Sequence, residues 1–159
     1  MSSSNWLDEA KQVHDEDRRG FLFLCVANSA RSQMAEGIAR YLASRLPEAR
    51  TYRIESAGSE PTKVRPEAKM VLDEIGIDME GQYSKNVAEV DPAGIDTVIT
   101  LCAEEECPVF LGDAQRLHWG LPDPASDQGT LKERLPAFRE TREELMKRLE
   151  VVFQGDSML

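Results

Sequence analysis

Residues 21–32 read Phe21-Leu-Phe-Leu-Cys25-Val-Ala-Asn-Ser-Ala-Arg31-Ser32, and the first six form a short continuous apolar run. Such a run suits a strand buried on both faces of a parallel sheet. It ends in a compact polar loop. From Ser32 to Leu46 the apolar residues Met34, Ile38, Tyr41, Leu42 and Leu46 recur at helical spacing, with good helix formers between them. A strand, a tight loop and a helix therefore follow one another without a break.

The alternation continues along the chain. Thr51–Glu55 is a second short strand candidate, Glu67–Ile75 a second helix closed by Gly76, Thr97–Leu101 a third strand, and Arg116–His118 a weaker fourth. Leu131–Phe153 is a long amphipathic helix, entered at Pro136 or just before it, with Leu145, Leu149 and Val152 toward the core. Strands alternating with helices predict right-handed βαβ units on a parallel sheet, an α/β fold in one domain. There is no internal repeat, and the domain is expected over residues 21–153, between a flexible polar leader (1–20) and a flexible tail (154–159). The segment LEVVFQG resembles a protease-site linker with one residue changed, so the tail carries no weight here.

Asp and Glu outnumber Lys and Arg by 29 to 19, a formal charge of −10 that argues against nucleic acid and anionic membrane as partners. No stretch approaches the roughly 18 apolar residues of a membrane span, and the N-terminus lacks the apolar core of a signal peptide, so the expected location is the cytoplasm. The three cysteines, Cys25, Cys102 and Cys107, are an odd number and widely spread, which suits thiols with a chemical role better than a disulfide framework. An anionic substrate would have to be drawn in by a local device, because the net field repels it.

The loop after the first strand is such a device. A short loop entering a helix N-terminus can turn the amides of Val26, Ala27, Asn28, Ser29, Ala30 and Arg31 inward, giving a cradle of N–H donors that the helix dipole reinforces. That cradle suits a tetrahedral oxyanion. Arg31 can present its planar fork to two oxygens, while Cys25, at the strand end, lies beneath the central atom as a thiolate nucleophile. Ser32 can offer a hydroxyl to the sulfur, and Asn28 can bond across the loop to fix its shape. The plainer reading, a buried strand cysteine and a solvated arginine, fails to explain their place at a strand-to-helix turn. An expelled oxygen also needs an acid, and Asp123, between Pro122 and Pro124 in Trp119-Gly-Leu-Pro-Asp-Pro-Ala125, is the candidate. A simple turn aspartate is the alternative.

With FLFLCVANSARSQMAEG, Ser56-Ala57-Gly58, TLCAEEECP and HWGLPDPA in view, the chain resembles the arsenate reductases on the low-molecular-weight protein tyrosine phosphatase fold over roughly Phe21–Phe153. The resemblance implies a four-stranded parallel sheet flanked by helices, Cys25 as nucleophile and Asp123 as general acid. It also implies a relay: Cys102 attacks the Cys25–arsenate adduct, Cys107 then attacks Cys102, and an external thiol reductant, thioredoxin or glutaredoxin, completes the cycle. Phosphate and sulfate would act as substrate analogues. On a regular helix, Cα atoms five positions apart stand roughly 8–9 Å from each other, beyond disulfide reach, so the 102–107 segment is expected to be irregular or to unwind. Cys-x4-Cys with only two histidines in the chain is weak zinc evidence, and no metal or bound cofactor is expected. Some relatives hold potassium beside the loop; Asn28, Glu36 and Ser56 match that set, but Lys85 stands where its carboxylate would fall, which points to no potassium dependence. Two other readings are a low-molecular-weight phosphatase that hydrolyses phosphomonoesters, needing neither distal thiol, and a non-catalytic oxyanion-binding module, which has no use for Asp123.

Overall fold

The computed structural model describes residues 5–103, 108, 110, 112–126 and 129–155. In chain order the elements are α1 (Trp6–Asp15), β1 (Gly20–Leu24), α2 (Arg31–Ser44), β2 (Arg53–Ala57), α3 (Pro66–Asp73), β3 (Thr97–Thr100), β4 (Gln115–His118) and α4 (Leu131–Gln154). The strands make one parallel sheet in the order β2-β1-β3-β4, as the alternating pattern predicts. Strand β1 is buried along its whole length, and each of its large side chains contributes about 1.5–3 kcal/mol by leaving water. That gain explains why the most apolar run takes a central place.

The two faces of the sheet are closed differently. Phe21, Phe23, Ile99, Leu101 and Leu117 join one large core with the buried side chains of all four helices. On the opposite face Leu22, Leu24 and Val98 meet a smaller cluster formed with Val90, Ile95 and Phe110 from connecting segments. The register aligns Leu24 with Ala57 and Thr100, and Thr100 with His118, so the four strands end level. Everything that follows them, Cys25, Gly58, Cys102 and the segment from Trp119 to Asp123, emerges at one carboxyl edge. The chain leaves β1 for β2 on one side while β3 lies on the other, which is the switch point where open α/β sheets bind ligands.

The ends differ from the sequence-based expectation. Trp6–Asp15, expected as flexible leader, is a helix packed on α4, with Ala10 and Val13 fully buried and Trp6 against the same core. Its apolar stripe is only one residue wide, which hides it among charges. The LEVVFQ segment is helical through Gln154, and Leu149, Val151, Val152 and Phe153 are core; the Phe153 ring lies 5.1 Å from that of Phe21. Helix α4 starts before Pro136 because Thr130 and Glu133 form a reciprocal capping box. Strand β2 begins two residues later than expected because Ala49–Thr51 closes a single 3-10 turn. No described helix is long and apolar enough to cross a membrane.

Ion pairs clamp α3 to α4. Glu67, nearly fully buried, accepts from Arg134 at 2.8 Å and Arg65 at 3.1 Å. Burial would raise its pKa, but its backbone hydrogen bond and the two guanidinium groups together hold it below the ordinary value. Glu74 meets Arg139 at 2.7 Å and Arg142 at 2.6 Å, which lowers its pKa from 4.5 to about 2. A depressed carboxyl pKa stabilises the fold above the unfolded value and loses that contribution as pH falls through the folded one. Urea melts of wild type and Glu74→Gln between pH 7 and pH 2 are expected to show the variant less stable at pH 7, with the difference shrinking below pH 4.5 and nearly gone near pH 2.

Candidate active site

Cys25 immediately follows β1, is 2% exposed and is a free thiol. The next residues wind into α2, whose first turn leaves its amides without intrahelical acceptors. The loop is oriented by its carbonyls. Val26 O accepts from Glu60 N at 2.9 Å, Ala27 O from Thr62 N at 3.1 Å, and Ser29 O from Arg65 N at 2.9 Å. Asn28 O accepts from Ser84 Oγ at 2.6 Å and Gln33 Nε2 at 3.1 Å. In a trans peptide the carbonyl of one residue and the N–H of the next point opposite ways, and the described chain has no cis bond. Carbonyls 26 to 29 held outward therefore turn the amides of Ala27, Asn28, Ser29 and Ala30 to the inner side, beside those of Arg31 and Ser32.

Asn28 sits in the left-handed region with φ of 49°, at a cost of about 1–2 kcal/mol for a residue with a side chain. Fully buried, it spends both amide hydrogens on Ser32 Oγ (2.7 Å) and Ser56 Oγ (3.0 Å), and its oxygen accepts from Gln33 Nε2 (3.0 Å) and Lys85 N (3.0 Å). Four bonds at about 0.5–1.5 kcal/mol each outweigh the backbone cost. They also set proton directions. Ser32 accepts from Asn28, so its own hydrogen is available to Cys25 Sγ, 2.9 Å away. Ser56 likewise accepts from Asn28 and donates to Glu36 Oε1 at 2.6 Å.

Arg31, 4% exposed, donates through Nη1 to Leu101 O at 3.3 Å and Leu121 O at 2.9 Å, the chain just past β3 and β4. Its Nη2 lies 3.9 Å from Asp123 Oδ2. Asp123 is 43% exposed, and its other oxygen accepts from Ala125 N at 3.0 Å, fixing the carboxyl over the 3-10 turn Pro124–Ser126. Thus Cys25, Arg31, Ser32, the loop amides and Asp123 gather at one end of the sheet. Cys102, 1% exposed, comes two residues after β3, the strand paired with the one that Cys25 follows, and is disulfide-bonded. Cys107, and with it the expected irregularity of the 102–107 segment, lies outside the described residues.

Sequence reasoning missed several supports. Gly58 leaves room for the loop: a Cβ there would stand 2.3 Å from Val26 O and 2.7 Å from Cys25 O. Gln33 and Ser84 carry no motif of their own and reach the loop through Asn28. The cation beside Glu36 is Arg40, whose Nε lies 2.8 Å from Glu36 Oε2, while the Lys85 ammonium pairs with Glu55 at 3.7 Å. The Glu36–Arg40 spacing of one helical turn was the available signal. Among the described residues no three His, Cys, Asp or Glu side chains cluster as a metal site would require.

The chain is similar to known proteins in sequence and in fold. An arsenate reductase of Halalkalibacterium halodurans is 38% identical over 136 residues, covering 84% of this chain and 94% of the relative. One from Bacillus subtilis strain 168 is 39% identical over 130 residues, covering 80% and 89%. A solved structure described as an arsenate reductase in the phosphate binding state superposes with a TM-score of 0.68 at 31% identity, covering 87% of this chain and 99% of that one. The model of low molecular weight phosphotyrosine protein phosphatases matches residues 20–155. On the strength of that match and of these relatives, the chain belongs to the low molecular weight phosphotyrosine protein phosphatase family.

Proposed function

We propose that this protein reduces arsenate to arsenite in the cytoplasm, through a cysteinyl-arsenate adduct and a thiol–disulfide relay. The observation that carries the reading is a second cysteine, Cys102, buried just past the strand that neighbours that of the loop thiol and held in a disulfide while Cys25 stays free. A hydrolytic enzyme has no use for such a pair. The relatives named arsenate reductase, at 38% and 39% identity, support the same substrate.

In the proposed sequence the loop amides and Arg31 bind the arsenate oxygens, and the Cys25 thiolate, supported by Ser32, attacks arsenic. Asp123 protonates the departing oxygen, which leaves as water. Cys102 as thiolate then attacks Cys25 Sγ; the sulfur–arsenic bond breaks, its electron pair stays on arsenic, and arsenite departs from a Cys25–Cys102 disulfide. Attack of Cys107 on Cys102 frees Cys25 and leaves a Cys102–Cys107 disulfide. An external dithiol, thioredoxin or glutaredoxin with a small thiol, reduces it. Phosphate and sulfate would occupy the cradle as analogues, and the same loop and acid would support residual hydrolysis of phosphomonoesters.

Arsenate-dependent NADPH consumption with thioredoxin and its reductase is expected to fall to background in Cys102→Ser and in Cys107→Ser, while p-nitrophenyl phosphate hydrolysis survives in both. Strong hydrolysis with no arsenate turnover in wild type would make the protein a phosphatase. Gly58→Ala should lower kcat/KM for arsenate by about 100-fold, because the added methyl group displaces the loop. With Arg40 and Lys85 supplying the cations near Glu36 and Glu55, exchanging sodium for potassium at constant ionic strength should leave kcat and KM for arsenate unchanged.

A further inference from the structure

The matched family region begins at residue 20, so α1 precedes it. That helix nevertheless reaches toward the carboxyl edge of the sheet through one side chain of α4. The Arg148 guanidinium carbon lies 5.0 Å from the Trp6 ring centre and 5.6 Å from that of Trp119, so one cation is held between two indoles. Arg148 is 8% exposed and Trp119 is 1% exposed. Cation–π attraction is strongest in such a desolvated place. Glu144 fixes the guanidinium from the side through Nε at 2.7 Å. The Trp119 indole N–H has no hydrogen-bond partner among the described residues, which leaves the ring face as its contact with a polar group.

Trp119 opens the segment that ends in Asp123. Its backbone N–H donates to Thr100 O at 2.8 Å, and that of Leu121 to Leu101 O at 3.1 Å. Beyond Leu121 the segment borders a groove: Pro122, Asp123 and Pro124 form one wall, and Ala137, Thr141 and Arg148 of α4 part of the other. Trp119 anchors the start of this segment at the end of β3, the 3-10 turn Pro124–Ser126 holds its end, and Arg31 stands beside Leu121 and Asp123 between them.

We propose that α1 is a positioning element for the acid, acting through the Trp6–Arg148–Trp119 stack on the segment that carries Asp123. Trp6 and Arg148 are positioning residues; neither touches the cradle. The inference rests on the reading of Asp123 as the general acid. Its test is a set of kinetic double-mutant cycles with arsenate and saturating reductant: Trp6→Ala and Arg148→Met, each in wild type and in Asp123→Asn. In wild type each should lower kcat about tenfold with KM changed less than about twofold, and in Asp123→Asn neither should lower it further, since the acid they position is gone. Trp6→Phe, which keeps an aromatic face, should recover most of the loss. An unchanged kcat in Trp6→Ala and Arg148→Met, with Asp123→Asn impaired, would overturn the positioning role and leave the proposed reaction standing. Equal losses in both backgrounds would also overturn it, as general damage to the fold. If Asp123→Asn itself turns over normally, the acid assignment fails, and this inference fails with it.

Discussion

A single buried side chain, that of Asn28, holds the loop between β1 and α2 in shape. Asn28 adopts a left-handed backbone, and the hydrogen bonds that keep it there come from Ser32 and Gln33 on α2, Ser56 on β2 and Lys85 in the connection toward β3. No local segment could supply all of these partners, since Ser56 and Lys85 lie far along the chain. The loop is therefore formed only when β1, β2, α2 and that connection have assembled, so its geometry depends on folding as a whole. The outward locking of carbonyls 26 to 29 works the same way, with residues 60, 62, 65 and 84 each supplying a donor. A cradle of amides is in this sense the inner side of a ladder whose outer side is fully bonded.

The electrostatics follow from this. A chain of formal charge −10 repels anions at a distance, and the attraction at close range comes from fixed dipoles and one guanidinium. Arg31 is oriented by the carbonyls of Leu101 and Leu121 before any ligand arrives. Those carbonyls lie just beyond β3 and β4, and the alignment of strand ends brings them within reach. Preorganisation of this kind is what makes dipoles effective, because they need not reorient as charge develops.

Much of this was legible in the chain itself. The continuous apolar run of β1 and the helical spacing after it named the βαβ unit, and the five residues between Cys25 and Arg31 named the cradle. Asp123 was legible from its flanking prolines. What was hidden had physical reasons. Helix α1 buries only a narrow stripe in a charged segment, so its helical character shows only once α4 provides a surface. Arg40 pairs with Glu36 across one helical turn, a spacing that announces such pairs, while Lys85 pairs with Glu55. Gln33, Ser84 and the amides of residues 60, 62 and 65 have no signal in sequence, since any residue but proline carries a backbone N–H.

The sequence by itself determined the fold class and singled out Cys25, Arg31 and Asp123, because local periodicity, the short range of a strand-to-helix turn and a pair of flanking prolines need no knowledge of distant contacts. Only the tertiary structure decided which way the loop amides face, which distant groups lock Asn28, and that Cys102 follows the neighbouring strand. Those outcomes depend on partners tens of residues away in the chain. Backbone hydrogen bonds and strand order join such residues, and neither is written in residue type.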